Sequence, residues 1–195
     1  MSTEKLDLRV VRTRKAIKQS FLELLQYKDY ERITIQDIAE KAMINRNTFY
    51  LHYLDKPDLM EKLYLDYSEK LNVCIDKKPH HIHDLTKEVL IEVLSKLFQV
   101  IHSNLSFFKP ILTQDGLPSF SFHLKKMLKE SIFSGIHDDY ANLKLQIRME
   151  YVVSGLSGVI CLWIMHSEEY VLDEIIAHVS DLHFDNIVCI LTEYE

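Results

Sequence analysis

Residues 34–56 read TIQDIAEKAMINRNTFYLHYLDK, and this stretch constrains the fold more than any other in the 195-residue chain. Thr34 stands where a helix N-cap belongs, with Asp37 three residues later as the acidic partner of a capping box. Ile35, Ile38, Ala39 and Ala42 follow at i, i+3, i+4 and i+7, which predicts a helix over about 34–42. Asn45 is a good N-cap for a second helix reaching about Tyr53, after a break of only three residues. Two short helices joined so tightly form a helix-turn-helix.

The flanking sequence extends the helical pattern. Val10, Ile17, Phe21, Leu24 and Leu25 make an apolar stripe on a first helix from Leu8 to about Tyr27, with Arg12, Arg14, Lys15 and Lys18 on its other faces. Asp55 caps a fourth helix, with Pro57 in its first turn and a stripe of Met60, Leu63, Tyr64, Tyr67 and Leu71. A polar segment over 76–83 then leads to helices expected near 84–102, 106–114, 119–136, 139–166 and 171–194. A turn is expected over 115–118. Four Gly and four Pro in the whole chain suit this all-α reading.

Charge divides the chain. Residues 1–56 hold eleven Lys or Arg against eight Asp or Glu, whereas residues 57–195 hold twelve against twenty-one. Because the Debye length at physiological salt is about 8 Å, an anion near the N-terminal part feels its local field rather than the net charge of −6. Either a nucleic-acid-facing end or a solvated helix face gives this count.

Within the second short helix, Phe49 and Tyr53 lie four apart and share an inward face. Asn45, Arg46, Asn47, Thr48, Tyr50 and His52 occupy the rest of its length and its cap. Arg can bond guanine O6 and N7, and Asn can bond adenine N6 and N7. Tyr and His suit phosphate oxygens, and Lys56 at the start of the next helix adds a charge there. A surface helix with chance polar residues would read the same way in isolation. The adjoining turn and the basic first helix favour DNA.

ITIQDIAEKAMINRNTFYLHYLDKPDLMEKL resembles the DNA-binding region of TetR-type transcriptional regulators. Their T-hydrophobic-x-x-I-A motif is followed by a T-F-Y-x-H/Y-F/Y segment and an acidic-Lys pair, and the similarity covers about residues 9–65. The resemblance implies that Thr34 touches a phosphate, that Arg46, Asn47 and Thr48 face base edges, and that Tyr50, His52 and Lys56 hold the DNA backbone. It further implies a three-helix DNA-binding domain over 1–56 and a helical ligand-binding and dimerisation domain over 57–195, with the fourth helix as connector. The family usually has Gly where this chain has Met43. A left-handed turn there would cost Met roughly 1 kcal/mol.

In the C-terminal part, Tyr151 to Met165 is apolar all round, with Ser154, Gly155, Ser157 and Gly158 admitting another helix. Leu156 on this segment and Leu172, Ile175, Ile176, Val179, Leu182 and Ile187 on the last helix are expected either to bury against a second copy or to form intrachain core. Phe107, Phe108, Phe122, Met127, Met149 and Trp163 are candidates to line an apolar effector pocket, or else plain core.

His80, His81, His83 and Asp84 make a metal-like cluster with linker spacing, so no metal and no cofactor are expected. Cys74, Cys161 and Cys189 have no paired spacing and suit a reducing cytoplasm. The longest uncharged stretch, Tyr151 to Met165, is shorter than the roughly 20 residues a membrane span needs. The absence of a nucleophile elbow, a Gly-rich phosphate loop and a paired carboxylate motif argues against an enzyme.

The expected function is therefore a dimeric regulator of a palindromic double-stranded DNA operator, a repressor released by a small apolar or amphipathic effector. The alternatives are an architectural DNA-binding protein or one switched by a protein partner.

Overall fold

A computed structural model of the protein describes residues 8–75, 86–114, 120–132 and 142–192. All regular structure among them is helical: α1 Leu8–Leu25, α2 Ile35–Lys41, α3 Arg46–Tyr50, α4 Lys56–Ile75, α5 Lys87–His102, α6 Leu105–Thr113, α7 Phe120–Ile132, α8 Leu143–Met165 and α9 Leu172–Thr192. A single 3₁₀ turn, Tyr30–Arg32, precedes α2. The turn expected over 115–118 and the cluster His80, His81, His83 and Asp84 lie outside the described residues.

The chain divides into two compact units. Unit 1 comprises residues 1–67 together with 113–117, and unit 2 the remainder. The division falls inside α4, the helix expected to connect the two parts. Thr113, the last residue of α6, and Gln114 after it group with the N-terminal unit.

In unit 1, Ile17, Phe21, Leu24 and Leu25 of α1 are buried at i, i+4, i+7 and i+8, so one face of the helix supplies core. α2 packs on α1 and α3 on α2. Phe21 meets Tyr30 edge-on at 6.3 Å, which seats the 3₁₀ turn on that core.

Unit 2 is an apolar helical bundle in which α5, α7 and α9 all pack against α8 and α5 also packs along α9. Gly155 allows α8 to meet α9 closely, since a Cβ at that position would stand 2.9 Å from Cε1 of His183. α8 is long and apolar enough to cross a membrane by length and composition. Its buried residues, from Leu145 to Ile164, instead face its helical neighbours.

Candidate nucleic-acid interface

The structure builds the helix-turn-helix from local polar ties. Thr34 caps α2 through a complete box: its hydroxyl accepts the Asp37 N–H, and its own N–H donates to the Asp37 carboxylate at 2.7 Å. The Lys28 ammonium, 2.6 Å from that carboxylate, and the two Thr34 bonds hold Asp37 down at a pKa of about 2.

The exit of α2 is a full Schellman motif. Ile44 N–H reaches the Ala39 carbonyl at 3.0 Å and Met43 N–H reaches that of Glu40 at 3.1 Å. This geometry places Met43 at φ 54, in the left-handed region, with its side chain 92% exposed. The strain expected for a non-glycine residue in this turn is therefore present.

Asn45 then caps α3, its side-chain oxygen accepting the Asn47 N–H at 2.8 Å. The helix is anchored from inside by fully buried Phe49, whose ring lies 5.6 Å from that of buried Tyr53. Burial pushes the Tyr53 phenol up to about 12. Just beyond α3, Asp58 accepts the Leu54 N–H at 2.9 Å while its own N–H donates to the Asp55 carboxylate at 2.8 Å, so the start of α4 is also tied by side chains.

The outer face of α3 carries the residues expected to meet DNA. Asn45, Arg46, Asn47 and Tyr50 are exposed, and Thr48 and His52 half-exposed. The Arg46 guanidinium donates to the Tyr50 hydroxyl at 3.0 Å and lies over its ring, an i, i+4 pairing that orders both side chains. Burial, and then the nearby Arg14 guanidinium, lower the pKa of His52, so its ring offers a neutral N–H rather than a charge at pH 7.

Two of the expected backbone contacts are committed elsewhere. The hydroxyl hydrogen of Thr34 goes to Asp37 at 2.8 Å. Lys56 donates to the carbonyls of Tyr30 at 2.6 Å and Ile33 at 3.0 Å, with Glu31 at 3.4 Å, and its ammonium sits 4.1 Å from the Tyr30 ring centroid. An ammonium has three hydrogens, and this one spends them inside the protein. Burial there also lowers its pKa. Lys56 thus clamps the 3₁₀ turn to the start of α4.

Conversely, Arg14 of α1 is an exposed cation beside His52 that the residue-level reading of α3 left out, although the basic face of α1 was visible. Leu51 and Leu54 are exposed at the end of the same surface and carried no sequence signal.

In unit 2 the pocket candidates separate. Phe107, Phe108, Met127, Met149 and Trp163 are buried, but Phe122 is 64% exposed. The buried face of α7 is Leu124, Met127 and Leu128, and Phe122 falls off that stripe. Among the candidates for a second-copy contact, Leu156, Ile176, Val179 and Ile187 are buried within the chain itself and belong to its core. Leu172 and Ile175 are half-buried, and Leu182 is exposed.

A family model described as "Transcriptional regulator C-terminal region" matches residues 88–185, half of the chain, and one described as "Bacterial regulatory proteins, tetR family" matches residues 22–63. The chain belongs to the TetR family of transcriptional regulators.

The chain is 48% identical over 61 residues to the uncharacterized HTH-type transcriptional regulator YxbF of Bacillus subtilis (strain 168), a match covering 31% of this chain and 16% of YxbF. It is 33% identical over 61 residues to the dhaKLM operon transcriptional activator DhaS of Lactococcus lactis subsp. lactis (strain IL1403), covering 31% of this chain and 33% of DhaS. The similarity to these curated relatives therefore spans a third of their length or less. Over whole chains the fold is shared with a TetR transcriptional regulator from Streptococcus agalactiae 2603V, at TM-score 0.67 and 22% identity, covering 90% of this chain and 96% of that one.

Proposed function

We propose that this TetR-family regulator acts in the cytoplasm as a homodimeric repressor that reads a palindromic operator with α3 and is released by a small amphipathic effector. The observation that carries the reading is the outer face of α3. Arg46, Asn47 and Tyr50 are exposed there on a helix capped at its start and anchored by Phe49. No catalytic role is assigned to the chain.

The dimer is supported by an unpartnered apolar face on α8 and α9. Leu143, Ile147, Tyr151 and Leu162 run down α8 with Leu182 beside them, and Gly158 has nothing within 4 Å of a would-be Cβ. Together with Gly155 and His183, part of this face lines an open groove of about 800 Å³. A second copy would cover it.

The effector is supported by Trp163. Its indole N–H is buried without a partner, beside Phe98 at 5.2 Å and His102 at 6.0 Å. A ligand oxygen would satisfy that donor among apolar surroundings. DhaS is described as an activator, so an activating form of the same switch is the second reading of the sign.

Selection of binding sites from a random duplex pool tests the reading. The expected product is a palindrome with half-site centres about 34–36 Å apart or a multiple of a helical turn. Sites without symmetry or sequence preference would favour an architectural protein. On the selected duplex, Arg46→Ala should cost about 1–3 kcal/mol and relax preference at one base position. Equal weakening on every sequence would remove Arg46 from base reading.

A further inference from the structure

The C-terminal end of α1 has no glycine to turn it, since the residues that follow are Gln26, Tyr27, Lys28 and Asp29. Its last carbonyl is satisfied from 89 residues away: the Gln114 carboxamide donates to Leu25 O at 2.8 Å and to Lys28 O at 3.3 Å. The 3₁₀ turn that follows also lacks a local cap, because the side chain of Asp29 makes no capping bond. Gln114 supplies that one too, its oxygen accepting the Tyr30 N–H at 2.7 Å. One side chain thus closes the end of one helix and the start of the next turn.

The turn it holds feeds directly into the reader. Tyr30 presents its carbonyl and its ring to the Lys56 ammonium at the start of α4, and Ile33 presents its carbonyl to the same ammonium. Thr34, the cap of α2, is the next residue. Without Gln114, two carbonyls and one N–H in a half-buried corner lose their partners, and the chain between α1 and α2 is released from one side.

We propose that Gln114 is a positioning residue for DNA reading: it touches no DNA but holds the 30–33 segment in the arrangement that seats α2 and α4. Apparent affinity scales with the fraction of molecules in the binding-competent arrangement. Loosening this corner lowers that fraction without changing what α3 reads. The inference takes from the proposed function only that α3 binds DNA.

The test uses the full-length chain and the duplex that the wild type selects from a random pool, with Gln114→Leu and Gln114→Glu compared at fixed salt. Leu removes both donor and acceptor, and Glu turns the donor into a carboxylate facing two carbonyls. Gln114→Leu should bind about ten-fold more weakly, the size of one lost hydrogen-bonded tie. Its base preference and salt slope should match the wild type, and hydrogen exchange at the Tyr30 amide should be faster. Gln114→Glu should lose at least as much.

Wild-type affinity in Gln114→Leu overturns the proposal, even if Tyr30 exchanges faster. A flattened salt slope overturns it by making Gln114 a phosphate contact. Loss of the helical circular dichroism signal in both variants reduces Gln114 to a stability residue, which also overturns it. A wild-type chain that selects no duplex overturns this inference together with the proposed function, whereas a palindrome with no effect of Gln114 overturns this inference alone.

Discussion

Unit 1 adds directional polar ties to its apolar core, whereas unit 2 is held mainly by apolar packing, and the contrast follows from what each must keep constant. In unit 1, Thr34 with Asp37, Asn45 with Asn47, Asp55 with Asp58 and Lys56 with three carbonyls fix where each short helix starts. A hydrogen bond tolerates little displacement, so α3 is presented at a defined angle. In unit 2 the described core is mostly Leu, Ile, Val, Phe and Met, and Trp163 and His183 within it keep a buried nitrogen without a partner, as the buried Tyr53 hydroxyl does in unit 1. Burial also lowers the pKa of His183, keeping it neutral. Apolar contacts are non-directional and can rearrange around a guest.

The sharpest way to break this contrast is Phe49→Ala. The five-residue α3 has too few turns to persist alone, and Phe49 is its fully buried anchor. The substitution should cost about 3–5 kcal/mol and abolish operator binding. Urea unfolding should then show unit 1 melting ahead of unit 2. A single coincident transition at unchanged midpoint would show that α3 is not held from inside.

Lys56→Met comes next. It keeps the aliphatic stem and removes the ammonium, so it should destabilise unit 1 by about 1.5–3 kcal/mol through the lost charge-assisted bonds. Binding should weaken while the slope of log K against log salt stays as in the wild type. A slope smaller by about one would return Lys56 to the phosphate backbone.

The smallest effect has the opposite sign. Met43→Gly relieves the left-handed strain and should raise stability by about 1 kcal/mol, read as a higher urea midpoint. If stability falls instead, the exposed Met43 side chain makes a contact that outweighs the strain.

Local features of unit 1 were readable from spacing because they join residues two to five apart. The capping box at Thr34, the cap at Asn45 and the strain at Met43 are of this kind, and the structure contains all three. The 3₁₀ turn at Tyr30 was not readable, because its cap comes from Gln114, 84 residues later. The clamp made by Lys56 is illegible for a related reason. A lysine after an acidic residue suits a phosphate or a set of carbonyls equally well, and the carbonyls that claim it lie 23–26 residues upstream.

The last helix shows the same limit in apolar form. Periodicity identified a buried face on α9 but not what buries it. Ile176, Val179 and Ile187 face their own chain, whereas Leu182 is left open beside the α8 stripe.

Residue order alone therefore established helix positions, the helix-turn-helix and the residues offered on α3, since each depends on propensity, capping and periodicity within one or two turns. Tertiary structure decided which of those side chains are free to act. Lys56 and Thr34 are spent on the protein, Arg46 is paired with Tyr50, and Gln114 is brought into the reader from beyond α6. The physical reason is that a polar side chain can make only a few hydrogen bonds, and which partners reach it first depends on segments that are distant in sequence.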